Sequence, residues 1–187
     1  MAGSSAVRVL GFSGSLRKGS FNTAALRAAR ELAPDGLAIE PFDIAPIPLY
    51  NEDVYQQGFP PPVAEFRTRI KDADALLIVT PEYNYSVPGV LKNAIDWASR
   101  PPDQPFDGKP IAFLSASPAF TGGARAQYHL RQVFVYLNPH VLNRPEVFIS
   151  TAHTKFDADG RLTDEKTREQ IAGLLAALKV WAERHRR

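Results

Sequence analysis

Ala75-Leu76-Leu77-Ile78-Val79-Thr80 is an uncharged run of strand length near the middle of the chain. A continuous apolar run of this kind fits a β-strand buried on both faces, the environment of an inner strand in a parallel sheet. Outward from it, strand-like and helical patterns alternate. Upstream, Val7-Arg8-Val9-Leu10-Gly11-Phe12 is a short β run, Phe21 to Leu32 is an Ala-rich helix stopped by Pro34-Asp35-Gly36, and Leu37 to Phe42 reads as a second strand. Val63, Phe66 and Ile70 recur at helical spacing. Downstream, Val90, Leu91, Ala94, Ile95, Trp97 and Ala98 make a helical stripe, followed by the strand Ile111 to Ser115. A helix over 123–137, a strand Val147 to Ser150, and a terminal helix on Ile171, Leu174, Leu175, Leu178 and Trp181 complete the series. Five strands separated by helices predict an α/β fold, a doubly wound parallel sheet with helices on both faces, as one domain over 1–187.

The composition excludes several classes. With 187 residues, 44% hydrophobic and 22% charged, the chain is an ordinary globular sequence, neither disordered nor a coiled coil. A net charge of +2 gives no basic stripe for nucleic acid. There is no cysteine, which removes disulfides, iron–sulfur clusters, Cys-bound zinc and thiol nucleophiles, and fits a reducing compartment. His129, His140, His153 and His185 lack metal-ligand spacing, so no metal is expected. No apolar window is long enough to span a membrane, and no signal-peptide segment stands at the start; the expectation is a cytoplasmic protein. Lys92 and Asp96 read as a solvated ion pair, Trp97 and Trp181 as core, and Arg184, Arg186 and Arg187 as a solvated tail. Asp43 to Pro62, with Pro46, Pro48, Pro60, Pro61 and Pro62, is a long irregular connection. It reads equally as a surface excursion, a flap or a subunit contact.

The first strand runs into Ser13-Gly14-Ser15-Leu16-Arg17-Lys18-Gly19-Ser20-Phe21-Asn22-Thr23. In a parallel sheet this turn lies at the carboxyl edge, where ligands bind. Glycines that let backbone N–H groups converge, short hydroxyl and amide donors, the positive end of a helix, and an arginine able to bond a phosphate twice together predict a phosphate cup. It is not an ATP or GTP cup, because the lysine a P-loop carries between its last glycine and serine is absent between Gly19 and Ser20. The Gly-x-x-Gly spacing does not match a dinucleotide fingerprint, and a phosphatase cup would need cysteine. What fits is one terminal phosphate, held and not cleaved, with flavin mononucleotide (FMN) the best match. Thr80-Pro81-Glu82-Tyr83-Asn84-Tyr85-Ser86-Val87-Pro88-Gly89 follows the third strand at the same edge. Ser86 is expected to cap the next helix, with Pro88 in its first turn. Pro81 and Tyr83 would supply a flat wall, Asn84 and backbone groups polar partners for a flavin ring; the alternative is two tyrosines packing a loop onto the core.

Gly14-Ser15-Leu16-Arg17-Lys18-Gly19-Ser20-Phe21-Asn22, then Pro81-Glu82-Tyr83-Asn84-Tyr85-Ser86-Val87-Pro88-Gly89 and Leu91-Lys92-Asn93-Ala94-Ile95-Asp96-Trp97, resemble the NADPH-dependent FMN reductase family, most of all its quinone and chromate reductase branch. Gly122-Gly123-Ala124-Arg125 and Gln127-Tyr128-His129-Leu130-Arg131-Gln132 resemble that branch as well, whereas Ala119-Phe120-Thr121 matches nothing in it. The resemblance implies a flavodoxin-like fold, for which analogy gives the strand order 2-1-3-4-5, with bound FMN and NADPH or NADH as cosubstrate. It implies that Ser15, Arg17, Ser20 and Asn22, within the loop from Ser13 to Asn22 that includes Gly14, Leu16, Lys18 and Gly19, hold the phosphate. It further implies that Pro81, Glu82, Tyr83, Asn84 and Tyr85 line the isoalloxazine, with Ser117 a further contact. A homodimer or homotetramer is implied too. The activity expected is ping-pong hydride transfer to quinones and similar acceptors (chromate, azo compounds, free flavins), with no protein acid or base. The alternative is a flavin-binding electron carrier or redox sensor without turnover. Arg125, Tyr128 and Arg131 share a helix edge expected to meet a second subunit, with Glu146 as a partner.

Overall fold

The computed structural model describes residues 6–185; Arg186 and Arg187 of the basic tail lie outside the described residues. The elements run β1 (Val7–Ser13), α1 (Phe21–Glu31), β2 (Leu37–Phe42), α2 (Glu52–Tyr55), α3 (Pro61–Asp72), β3 (Ala75–Thr80), α4 (Gly89–Ala98), β4 (Pro110–Ala116), α5 (Ala124–Val135), β5 (His140–Val141), β6 (Val147–Ile149) and α6 (Glu165–His185). All strands pair in parallel in the order β2-β1-β3-β4-β5, and β6 also pairs with β4. The order is therefore 2-1-3-4-5 as expected, with one difference. The fifth strand position is shared, β5 pairing with the start of β4 and β6 with its end. Pro139 and Pro145 stand before and inside this stretch, and each removes a backbone donor from the ladder.

The two-residue period of the strands divides the core. Val7 and Val9, Ala75, Leu77 and Val79, and Ala112, Leu114 and Ala116 face α1 and α6. Leu10 and Phe12, Leu76 and Ile78, and Ile111 and Phe113 face α3, α4 and α5. All six residues of β3 and all seven of β4 are buried, as the continuous apolar reading of β3 requires. Trp97 is fully buried, whereas Trp181 is only half-buried and donates its Nε1–H to the His140 carbonyl. Lys92 and Asp96 do pair, at 2.7 Å on an exposed face.

The Pro-rich connection is a packed excursion. Ile44 and Ile47 enter the core, and the Pro48 carbonyl accepts from Trp97 Nε1 and Asn93 Nδ2, both at 2.8 Å. Tyr50 meets the Trp97 ring edge-on, and Tyr55 donates its hydroxyl to the Pro101 carbonyl. No helix among the described residues is long and apolar enough to cross a membrane.

Candidate functional site

The carboxyl edge of the sheet gathers three turns. The first follows β1. Ser20 caps α1, its Oγ accepting from the N–H groups of Asn22 (3.2 Å) and Thr23 (3.4 Å). Ser15 Oγ likewise accepts from Arg17 N, and Ser13 Oγ from Ser15 N and Thr23 Oγ1. Because Ser15 and Ser20 use acceptor capacity here, their own O–H groups remain donors. The first turn of α1 carries no acidic residue, and among the described residues no carboxylate pairs with Arg17. The donor set is therefore suited to an anion at a helix N-terminus. Gly14 is required for close approach and not for an unusual φ: a Cβ there would lie 3.1 Å from Leu91 and 3.3 Å from Thr80 Oγ1. Gly19 also has no positive φ, and the N–H groups of Gly14, Ser15, Arg17, Ser20, Asn22 and Thr23 are bonded within the protein, so the turn is ordered by its serines and not by glycine freedom.

The second turn follows β3. Tyr83 and Ser86 exchange backbone hydrogen bonds (3.1 and 3.0 Å), closing a tight turn over Asn84 and Tyr85, both in left-handed backbone (φ 49° and 67°). The expected Ser86 cap is not formed. Pro88 occupies the N-cap position of α4, accepting from Leu91 and Lys92, and Ser86 Oγ instead bonds His129 Nδ1 at 2.9 Å. The reason is the closure of the Tyr83–Ser86 turn, which ends before the helix can reach Ser86.

The third turn follows β4. Ser117 Oγ accepts from Ala119 N, and Ser115 Oγ donates to the Gly122 carbonyl. Gly123, at φ 90°, precedes α5, where a Cβ would sit 2.7 Å from that of Ser115.

Between these turns lies a cleft of about 410 Å³. Ser15, Arg17, Ser20 and Asn22 line one side, Pro81, Glu82 and Tyr83 another, and Ser117 a third. Phe21, Ala116 and Pro118 also line it and were not read from the sequence, although each directly follows a recognised feature, the α1 cap or the β4 run. Lys18 and Gly19 face an adjoining groove shared with Arg27 and Asp159, Leu16 is exposed, and Asn84 and Tyr85 form the tip of the second turn. A larger cavity, about 780 Å³, opens among Arg8, Lys71, Asp74 and Lys109 at the amino edge of the sheet. Two of its cations are already engaged: Lys109 Nζ donates to the Lys71 and Ala73 carbonyls, and Arg8 to that of Asp72. Burial pulls the Lys109 pKa down. It has none of the three turns that follow strand ends.

Two of the residues that line the cleft also hold its turns together. Asn22 is 3% exposed, and its amide bonds both polar atoms of Ala116, Nδ2 to the carbonyl and N–H to Oδ1, each at 2.9 Å. The Glu82 carboxylate is turned to α5, accepting from the N–H groups of Arg125 (3.0 Å) and Ala126 (3.3 Å) and from Arg125 Nε (2.6 Å). It thereby caps a helix whose own N-cap, Gly123, has no side chain to do so. Arg131 meets Glu146 at 3.9 Å within the chain; burial lowers its pKa and Glu146 opposes the shift.

A parallel sheet with a donor-rich turn after β1 and an aromatic turn after β3, both at its carboxyl edge, defines a protein of the doubly wound class, whose ligands bind at that edge. Comparison with known proteins narrows this. Residues 7–154 match the model of the NADPH-dependent FMN reductase family. The chain is 63% identical over 180 residues to an NAD(P)H-dependent FMN reductase of Pseudomonas aeruginosa, covering 96% of this chain and 97% of that one. It is 46% identical over 181 residues to the quinone reductase of Escherichia coli K12, covering 95% and 96%. Among solved structures, the flavoenzyme NAD(P)H:(acceptor) oxidoreductase of Paracoccus denitrificans superposes with a TM-score of 0.87 at 38% identity, over 96% and 98% of the two chains. The chain belongs to the NADPH-dependent FMN reductase family.

Proposed function

We propose that this chain acts as a single flavodoxin-like domain that binds FMN and passes two electrons from NADPH or NADH to quinones and similar acceptors, with ping-pong kinetics. The observation that carries the reading is the shared cleft: hydroxyl and guanidinium donors at one end, and Pro81 and Tyr83 at the other. Bound FMN would supply a two-electron carrier that accepts and releases hydride. Ser15, Arg17 and Ser20, with the positive end of α1, would hold its phosphate. Pro81, Tyr83 and the backbone through Tyr85 would lie along its ring, with Ser117 at the opposite wall. The cleft carries no free carboxylate on its Glu82 side, because that charge is bound to Arg125 and the α5 N-terminus, so an anionic cofactor meets no repulsion there. The ping-pong expectation follows from a flavin that would accept hydride from the nicotinamide and, once that has left, pass it to an acceptor stacking on the same face.

Quinones follow from the names of the relatives from Escherichia coli and from potato, an NAD(P)H:quinone oxidoreductase. Chromate, azo compounds and free flavins are proposed as further acceptors. A cytoplasmic homodimer or homotetramer, with the Arg125–Tyr128 edge of α5 at a subunit contact, completes the proposal. The test is oxidation of NADPH by the purified flavin-loaded protein with benzoquinone. Sustained turnover with parallel double-reciprocal lines supports the enzyme; bound flavin that never cycles supports a carrier or sensor instead.

A further inference from the structure

FMN has one phosphate, for which the cleft offers Ser15, Arg17 and Ser20. Positive charge continues past it. Beyond Ser20 and Phe21, which line both cavities, the cleft runs into a groove of about 340 Å³ between α1 and the loop 157–160. Lys18 and Arg27 line this groove, and among the described residues neither has a carboxylate within ion-pair distance. The two carboxylates there are turned into their own loop. Asp157 Oδ1 accepts from the N–H groups of Asp159 (3.0 Å) and Arg161 (2.8 Å), and Asp159 Oδ2 pairs with Arg161 at 3.2 Å. Arg27 is held at the groove, its Nη2 donating to the Gly160 carbonyl at 3.2 Å. Gly160 is at φ 73°, and a Cβ there would lie 2.7 Å from that nitrogen, so glycine permits the contact. Phe21 adds a flat apolar wall, its ring 5.6 Å from that of Phe156.

We propose that this groove is the subsite for the adenosine end of the nicotinamide cosubstrate, with Lys18 and Arg27 binding the 2′-phosphate that NADPH carries and NADH lacks. This rests on the flavin reading above and goes beyond it, by assigning the residues that choose between the two cosubstrates. The chemistry matches: an adenosine phosphomonoester joins a charged oxygen cluster to a flat base, and the groove joins two unpaired cations to an aromatic ring. Cations beyond Arg17 are surplus to the single phosphate of FMN. Lys18 and Arg27 are both exposed, so their pull on a phosphate is weakened by salt.

The test uses the FMN-loaded protein. By calorimetry, wild type should bind 2′,5′-ADP at least about tenfold more tightly than 5′-AMP, the size of one charge-assisted contact. Arg27→Ala and Lys18→Ala should each remove most of that preference. Each should also lower the ratio of kcat/KM for NADPH over NADH by about five- to tenfold, and added salt should lower the wild-type ratio in the same direction. Asp159→Asn takes a carboxylate out of the groove and frees Arg161, so it should raise the ratio by about twofold, a gain that misfolding cannot produce. Wild type that binds the two adenosine phosphates equally would overturn the proposal, and so would a ratio unmoved in both alanine variants. FAD that binds apoprotein more tightly than FMN, and loses that advantage in both variants while the ratio stays put, would give the groove to a cofactor's adenylate and overturn it too. Failure of wild type to take up FMN would sink the flavin reading and this proposal with it, whereas FMN-loaded protein without the 2′,5′-ADP preference sinks the proposal alone.

Discussion

Asn22 lines the cleft and also ties two of its turns together. Its amide closes a two-way bridge between the start of α1 and Ala116 at the end of β4, with both bonds at 2.9 Å and the residue 3% exposed. Replacing it with alanine removes both bonds and leaves the Ala116 N–H and C=O without their protein partners. Each unsatisfied buried group costs about 1–3 kcal/mol, so Asn22→Ala should destabilise the apoprotein by about 2–6 kcal/mol. For a chain of this size that corresponds to a fall in Tm on the order of 10 °C. The assay is urea and thermal denaturation of the cofactor-free protein, beside an FMN titration of the same sample. A large loss of apoprotein stability supports the bridge. An apoprotein as stable as wild type, with only FMN binding impaired, would refute this reasoning and leave Asn22 with a ligand role alone.

Other outcomes follow from the same geometry. Arg17→Ala should weaken FMN by about 10- to 100-fold, the range for a lost charge-assisted bond, while leaving riboflavin binding nearly unchanged; paired titrations check this. Gly123→Ala, with φ 90° and a Cβ 2.7 Å from that of Ser115, should cost on the order of 1–3 kcal/mol, read as a lower urea midpoint. Asp164 accepts hydrogen bonds from the Thr167 side chain and backbone, which lower its pKa. Its contribution to stability is therefore fully present above the unfolded carboxylate pKa and is lost as pH falls through the lower folded value. In Asp164→Asn that part of the acid-induced loss should disappear from the pH dependence of Tm, with a lower Tm at neutral pH.

How much of this was legible in the sequence depended on how local each cause is. The β3 run and the strand–turn–helix units around Gly14 are local patterns, and they specify the sheet, its edge and the position of the turn after β1. The split of the fifth strand position into β5 and β6 was not read, because two- and three-residue strands carry too little periodicity. The Asp43–Pro62 excursion looked irregular because its order comes from distant partners, Asn93 and Trp97. Asn22 and Glu82 were correctly drawn to the cleft, but their side-chain partners lie 94 and 43 residues away, where no motif points. Tyr85 was expected along the isoalloxazine; its left-handed backbone and its contact with Arg125, 40 residues on, are not visible in sequence spacing.

The central claim is that the turns after β1 and β3 hold FMN jointly. Its most direct test is titration of folded apoprotein with FMN, followed by flavin absorbance and fluorescence. The account predicts saturable uptake of one FMN per chain, weakened separately by Arg17→Ala in the first turn and by Tyr83→Ala in the second. Folded protein that stays colourless in millimolar FMN would contradict it.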